Sequence, residues 1–442
     1  MASEVIHILG GGLAGSEAAW QAAAAGLSVV VHEMRPNRTT PAHKTGSLAE
    51  LVCSNSLKSE REYSAPWLLK RELRRLGSLL LDVAAETRVP AGHALTVDRE
   101  LFSRAVTERI QSSPRIEVRR EEAAAVPRDG IVVVATGPLT SEPLAGDLAT
   151  LLGSERLYFY DSISPIVDAD SIDCSIAFRA SRYGRSLDDS ADYLNCPLDR
   201  EQYDRFVKAL LEARRHQAHI PGDVPYFEAC LPIEELARRG HDTLRFGPMK
   251  PVGLIDPATG RRPHAVVQLR QEDLRASSYN LVGFQTTLTY PEQDRVFRLI
   301  PGLERAEFLR YGQAHRNTYI NAPAVLDATL EMRHRPGVFF AGQISGVEGY
   351  IEAIATGLLA GRGAAARARG ERPTPLPRAT ALGSLCVYIS SAAPSGYQPA
   401  NMTFDLMAPL DPETAARLRR DKHARHAEFC RRALRALEEH LA

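Results

Sequence analysis

Long apolar runs are missing from this sequence. No stretch reaches the length of about 18 residues that a membrane-spanning helix needs, so no membrane partner is expected. Cysteine is sparse: six are scattered along the chain (Cys53, Cys174, Cys196, Cys230, Cys386 and Cys430), and none forms a Cys-x-x-Cys pair. That excludes a disulfide scaffold, argues against zinc, so that no metal is expected, and points to reduced thiols in a cytoplasmic protein. Net charge is lacking as well. Lys+Arg and Asp+Glu both number 54, which rules out a uniformly basic coat for nucleic acid but leaves room for local basic patches. The first residues, Met1-Ala2-Ser3-Glu4, offer no basic stretch and no cleavage site of small residues, so no secretory leader is expected. The remainder is ordinary for a folded protein, with 44% hydrophobic and 24% charged residues in 442, a length that suggests two or three domains.

Val5 to Leu9 is a short β-branched run that reads as a buried strand. It leads into Gly10-Gly11-Gly12-Leu13-Ala14-Gly15, then an Ala-rich helix from about Ser16 to Ala25 stopped by Gly26, then a second strand ending at Glu33. From Met34 to about Ser64 the pattern breaks into a long loop that carries Cys53, and such loops are often functional. Helices are expected from Pro66 to Leu76 and from Asp98 to Ile110, and a core strand from Ile131 to Ala135 before Thr136-Gly137-Pro138. From about Tyr158 to Leu330, strand-like and irregular segments carry one clear helix, Arg200 to Arg214. The nucleotide-binding pattern then returns, with Gly337 to Gln343 as strand then turn, followed by Gly346, Gly349 and Gly357 on a small-residue helix to about Ala368. A Pro-rich linker (Pro373, Pro375, Pro377) precedes a basic helix expected from Pro412 to Leu441.

Gly10-x-Gly12-x-x-Gly15 needs its glycines for separate reasons. One permits the tight turn, one lets backbone approach a pyrophosphate, and one packs helix against strand. The helix start then offers unpaired N–H groups and a positive dipole end to phosphate. Glu33 stands where an acid accepts ribose hydroxyls, which favours FAD or NAD over NADP, although Arg35 close by weakens that inference. The bland reading is a tight glycine turn with no ligand. An NAD domain is usually completed by a contiguous sheet, whereas here the last strand and helix come far downstream. That layout favours a tightly held FAD, with Gly10, Gly11, Gly12, Leu13, Ala14, Gly15, Glu33, Thr136, Gly137, Gly342, Gln343, Gly346 and Gly349 as its candidate contacts. Gly346 and Gly349 could instead merely cap and pack a helix. The expected fold class is α/β: a Rossmann-type FAD-binding domain with a second α+β domain inserted into it and a C-terminal helical segment. The expected division is 1–157 for the first part of the FAD domain, 158–330 for the insertion, and 331–442 for the second part and the C-terminal helices.

Several segments together resemble one family. They are the glycine motif, Leu51-Val52-Cys53-Ser54-Asn55-Ser56, Phe246-Gly247-Pro248-Met249-Lys250-Pro251-Val252-Gly253-Leu254, Tyr279-Asn280-Leu281-Val282-Gly283-Phe284-Gln285-Thr286, and the stretch from Phe340 to Tyr350. The combination is similar to the bacterial folate- and FAD-dependent tRNA (uracil-5-)methyltransferases, which make ribothymidine in the T-loop. The resemblance implies methylenetetrahydrofolate as carbon donor, reduced FAD, NADH or NADPH as reductant, and tRNA as partner. Two alternatives remain. One is a related FAD-dependent enzyme that modifies the tRNA wobble uridine, a family usually considerably longer. The other is a non-catalytic protein that holds flavin and tRNA.

Uracil C5 is too weak a nucleophile to take a one-carbon unit unaided. A thiolate adding at C6 makes an enolate that activates C5, so the chemistry needs a reactive Cys and a proton-handling partner. The resemblance implies Cys230 as nucleophile and Cys53 as its acid/base or resolving partner. The other cysteines read as packing residues. It also implies a ring stacking beside the flavin to hold folate, for which His315 is the candidate, with Arg316 for the glutamate tail. The basic helices containing Lys70, Arg71, Arg74 and Arg75, and Arg417 to Arg435, could meet tRNA phosphates or be solvated faces with i,i+4 pairs.

Overall fold

The structure is a computed structural model that describes residues 5–153, 157–184, 191–216 and 231–442, without the side chains of 157–161 and 314–316. Among the described residues, five strands form a parallel sheet in the order Val338–Phe340, Ile131–Val134, Ile6–Leu9, Val29–His32, Ile116–Arg119. The inner strands are almost continuously apolar because helices and loops cover both faces; Ile131–Val134 is buried at every position. The late strand Val338–Phe340 thus completes a sheet begun at residue 6.

Helix Leu13–Ala24 follows the first strand, and helix Tyr350–Ala368 lies across it. The crossing is close because glycines face backbone. A Cβ on Gly357 would stand 2.3 Å from the Ala14 carbonyl oxygen, and one on Gly361 would stand 2.4 Å from that of Ala18.

A second sheet is antiparallel, in the order Phe178–Arg179, Tyr193–Leu198, Ala265–Gln271, Ser278–Leu281, Ile166–Asp168, Phe308–Arg310. One face alternates Ala265, Val267 and Leu269 against Tyr203, Phe206 and Leu210 of helix Arg200–Glu212. The opposite face carries Gln268, Arg270 and Asn280, and points toward the Cys53 loop, where Arg270 Nη2 donates to Ser54 Oγ at 3.2 Å. A two-stranded ribbon, Leu157–Ser162 with Ala314–Tyr319, joins this sheet to the nucleotide-binding part.

Four sequence expectations change. The region 158–330 holds several helices besides Arg200–Glu212, including Ile233–Arg238 and Tyr290–Phe297, each too short to show a helical period. The proline-rich linker leads into a buried helix, Ala381–Ser391. The C-terminal helix is two helices, Pro412–Arg417 and Lys422–Leu441, because Asp421 caps a new start by accepting from the Ala424 N–H at 2.9 Å. Lys70 is not available to phosphate: it is fully buried, and its ammonium donates to the carbonyls of Leu57, Lys58 and Ser59 at 2.8–3.0 Å. In the same helix Arg74 pairs with Glu60, and Arg75 pairs with Glu438 of the C-terminal helix.

Candidate active site

A cleft of about 400 Å³ opens at the carboxyl ends of three parallel strands, through Leu9-Gly10, Ala135-Thr136 and Gly342. That is where open α/β sheets bind ligands, and the volume suits a cofactor site. Two helices begin at the cleft, Leu13–Ala24 after Gly12 and Tyr350–Ala368 after Gly349, and neither has a side-chain cap. Their first N–H groups and positive dipole ends are therefore offered to whatever the cleft holds.

The glycines of the first turn divide the work. Gly10 has φ +98°, and a Cβ there would sit 2.7 Å from the Ala135 carbonyl oxygen. Gly12 leaves open space where a Cβ would stand, the feature a closely approaching pyrophosphate requires. Gly15 faces away from the cleft; a Cβ would meet the Gly10 carbonyl oxygen at 1.8 Å, so it sets helix against strand. Gly11 is also turned inward, and its N–H donates to Glu33 Oε2 at 2.9 Å.

Glu33 lines one end of the cleft with Arg35. Arg35 is 2% exposed and donates to Glu33 through Nε at 2.9 Å and Nη2 at 3.0 Å, and to Glu50 through Nη1 at 3.1 Å. Burial pushes the Glu33 carboxyl up, but the hydrogen bonds and charge of Arg35 outweigh it and hold the group below the usual carboxylate range. Arg35 is thus committed to two acids rather than waiting for a 2′-phosphate. Leu13, Ala14, Thr136, Gly137, Gly342, Gln343 and Gly349 also line the cleft. Gly346 does not; it lies beneath the ring of Tyr397, whose hydroxyl would be 2.2 Å from a Cβ there. These features fit a dinucleotide.

Cys53 lines the opposite end with Val52, Ser54, Lys58, Ile163, Asn317, Tyr350 and Asn401. The backbone N–H groups of Cys53 and Ser54 donate to the Tyr350 hydroxyl at 2.8 and 3.1 Å, which ties the loop to the first residue of the long helix. Burial, and then the charge of Cys53, push the Tyr350 hydroxyl above its usual range. Arg99 donates to the carbonyls of Leu51 and Cys53 at 2.8 and 3.2 Å and pairs with Glu272. Arg310 and Lys44 complete a group of three cations behind the loop. Burial lowers both of their pKa values; Arg99 lowers both further, and Arg310 adds to the effect on Lys44. Lys58 has φ +63°, a backbone conformation costly for a side chain of this size, and its ammonium is fixed by Glu352 at 2.6 Å and Asn401 at 2.5 Å.

Cys230 lies outside the described residues. Described residues on either side are anchored to one segment: His216 N–H donates to Thr287 O at 2.8 Å, and Ile233 N–H donates to Gln285 O at 2.7 Å. Between them, Thr286 abuts Gly312, which in turn abuts Ile163 of the cleft. The side chains of His315 and Arg316 also lie outside the described residues. Their backbone sits in strand Ala314–Tyr319, two residues and one residue from Asn317 of the cleft. The remaining cysteines differ from one another. Cys196, Cys386 and Cys430 are buried, with burial pushing the last two thiols up to about 12, while Cys174 is exposed and is not the packing residue expected. Among the described residues, no group of His, Cys, Asp and Glu is arranged to hold a metal ion, and no helix is long and apolar enough to cross a membrane.

Sequence reasoning missed Lys58, Arg99, Arg310, Tyr350 and Asn401 as parts of this site. Only Tyr350, at the end of a glycine-rich motif, had a local signal.

A family model described as "Glucose inhibited division protein A" matches residues 5–372. A relative from Solibacter usitatus, named methylenetetrahydrofolate--tRNA-(uracil-5-)-methyltransferase TrmFO, is 68% identical over 439 residues, covering 99% of both chains. The protein of that name from Koribacter versatilis is 60% identical, covering 99% of this chain and 98% of its own. Among solved structures, Aquifex aeolicus GidA in its form II crystal aligns with a TM-score of 0.68 at 17% identity, over 99% of this chain and 73% of that one, a likeness of fold. With a cleft shaped for a dinucleotide and a cysteine at its far end, this chain belongs to the glucose inhibited division protein A family, among the folate- and FAD-dependent tRNA uracil-5-methyltransferases.

Proposed function

We propose that this protein forms 5-methyluridine in the T-loop of tRNA, taking the carbon from methylenetetrahydrofolate and the reducing equivalents from NADH or NADPH through FAD. The carrying observation is Cys53 at the far end of a dinucleotide cleft, in a chain 68% identical to a relative named for this reaction. The same identity favours this reading over a wobble-uridine enzyme or a non-catalytic flavin- and tRNA-binding protein. A cytoplasmic location belongs to the proposal. So does the division into 1–157, 158–330 and 331–442, supported by the pairing of Val338–Phe340 with Ile131–Val134 in one sheet.

Bound FAD would be held by Gly10, Gly12, Leu13 and Ala14 at its pyrophosphate, by Glu33 at its ribose, and by Thr136, Gly137, Gly342, Gln343 and Gly349 along the cleft; it supplies redox and one-carbon transfer chemistry. Gly11, Gly15 and Gly346 act indirectly, by seating Glu33, the first helix and Tyr397. Cys230 is the proposed nucleophile at uracil C6. The thiolate pair forms the S–C6 bond while the C5=C6 π pair shifts to O4. The resulting enolate attacks through C5, and the one-carbon unit leaves its donor nitrogen. Loss of the C5 proton then expels the thiolate, and two electrons from NADH or NADPH bring the added carbon to the methyl level. Cys53 handles that proton. Neighbouring cations favour the thiolate form of a cysteine, and Arg99 and Arg310 are within electrostatic reach of Cys53. His315 and Arg316 are proposed for the folate ring and its tail.

A tRNA carrying 5-fluorouridine at the target tests the thiol chemistry, because fluorine cannot leave as a proton does and the covalent adduct stalls. Cys230→Ala is expected to lose both turnover and adduct. Cys53→Ala is expected to lose turnover and still form the adduct. An adduct that survives Cys230→Ala and disappears in Cys53→Ala would reverse the roles, and normal turnover by both variants would refute the thiol mechanism.

A further inference from the structure

The motif from Phe246 to Leu254 takes no part in the cleft, yet it is built with care. It belongs to an excursion between helix Thr243–Phe246 and strand Ala265–Gln271, closed at its base where Arg245 Nε donates to the His264 carbonyl at 3.0 Å. Arg182 braces it from inside by donating to the carbonyls of Lys250 and Val252. Tyr183, at φ +59°, packs over Gly253, where a Cβ would stand 2.8 Å from its ring. Pro248 packs on Gly283, at φ +78°, of the neighbouring motif. Such bracing fixes a shape, and that shape exposes apolar groups. Phe246 is 81% exposed, and Ile255 and Tyr183 are each 60% exposed.

The charges around these groups are sorted. Asp242 is paired with Arg245 at 2.8 Å. Asp256 is buried and accepts from the Ala258 N–H and the Thr259 hydroxyl of its own turn. Lys250, Arg261 and Arg262 are exposed, and none forms an ion pair among the described residues. An exposed aromatic ring with outward cations is the combination that grips a single-stranded or looped RNA, the ring by stacking on a base and the cations by meeting phosphates. A protein partner that buried Phe246 and Ile255 would have to desolvate three cations as well.

The excursion also connects to the active site. Arg182 Nε donates to Gln268 Oε1 at 2.9 Å. Two residues along the same strand face, about 7 Å further on, Arg270 donates to Ser54, the neighbour of Cys53. Arg270 is 8% exposed, and its Nε has no partner among the described residues. We infer that the excursion carrying Phe246, Lys250, Ile255, Arg261 and Arg262 is the docking surface for the RNA, holding the loop that flanks the target uridine while the polar strand face leads to Cys53. This inference rests on the proposed function.

The test uses the FAD-loaded full chain and an unmodified tRNA transcript, with the dissociation constant measured over a range of salt concentrations. Phe246→Ala is expected to weaken binding about tenfold, as loss of a stacked base does, with the salt dependence kept. Phe246→Tyr is expected to restore it. Lys250→Ala/Arg261→Ala/Arg262→Ala is expected to make the slope of log affinity against log salt shallower by about 2–3, at about 0.7–0.9 for each phosphate no longer neutralised. Flavin content and melting temperature are read alongside and are expected to stay at wild-type values. Wild-type affinity and slope in both the alanine variant and the triple variant would overturn the inference. So would a change in sedimentation with tRNA affinity intact, which would make the patch an interface between copies of this chain. Failure of the wild type to methylate tRNA that it binds would count against the proposed function and leave the docking surface standing.

Discussion

Glu33 and Arg35 bring opposite charges into a place where they are 4% and 2% exposed. Removing Glu33 takes away one of the two acids that neutralise Arg35 and leaves Glu50 as its remaining partner, so the cost stays below the about 3–5 kcal/mol of a fully stranded buried charge. Glu33→Ala is therefore expected to lower the melting temperature and to release FAD, seen as lost yellow absorbance in the purified protein. The pH dependence follows from the depressed carboxyl. Its stabilising contribution is present above the unfolded value of 4.5 and is lost as the pH falls through the lower folded value. Glu33→Gln should flatten the acid limb of a plot of melting temperature against pH; an unchanged limb would count against the pair. At Gly15 the argument is steric. With only 1.8 Å between a Cβ and the Gly10 carbonyl oxygen, Gly15→Val must push helix from strand, and both flavin content and stability should fall. The glycines and Glu33 were legible in the sequence because the motif is local and each residue answers a local backbone demand. The same holds for Cys53, marked by its polar loop. Lys58 and Asn401, which line the cleft, and Arg99 and Arg310, which lie near the Cys53 loop, were not legible, because no spacing rule joins them.

Helices in this protein are stitched together by buried acids at helix starts. Glu17 accepts from the Leu80 N–H at 3.0 Å and the Ser78 hydroxyl at 2.8 Å, at the head of helix Leu79–Glu86. Glu72 accepts from the N–H groups of Ala381 and Leu382 at 2.8 and 2.9 Å, at the head of helix Ala381–Ser391. Burial raises the Glu72 carboxyl to about 7, against the opposing effect of those two bonds. A raised carboxyl takes up a proton on folding, so its contribution is complete below pH 4.5 and is lost as the pH rises through 7. The change amounts to roughly 3 kcal/mol across that window. Glu72→Gln should remove this slope from urea midpoints measured between those pH values, and an unaltered slope would contradict the assignment. Helices Leu13–Ala24, Ala65–Arg75 and Arg99–Gln111 were legible in outline, the first from its Ala-rich composition and glycine stop, whereas the short helix Leu79–Glu86 was not expected. Ala381–Ser391 was hidden because it is buried on nearly every side and shows no polar stripe. The break in the C-terminal helix was hidden because a basic, amphipathic stretch gives no sign that Asp421 restarts it.

At the scale of the whole molecule, the parallel sheet is closed by a strand that the chain supplies only after building the antiparallel sheet. That order was legible because Gly342 to Gly349 restates the nucleotide-facing turn pattern after a long stretch of different character. Less legible was the approach of the antiparallel sheet to the Cys53 loop. It depends on single contacts such as Arg270 to Ser54 and Asn55 Nδ2 to the Gln271 carbonyl, which no motif encodes. Together these elements place a dinucleotide cleft, a cysteine-bearing loop and a polar strand face around one point, as expected for an enzyme that moves a folate-borne carbon to a tRNA base. The most direct test supplies the purified yellow protein with unmodified tRNA, NADH or NADPH, and methylenetetrahydrofolate labelled at the methylene carbon, with S-adenosylmethionine labelled at its methyl in a parallel reaction. The tRNA is then digested and its nucleosides analysed. The account predicts label in 5-methyluridine from the folate alone, dependent on the reductant. Label from S-adenosylmethionine in the absence of folate, or tRNA without 5-methyluridine under every condition, would contradict it.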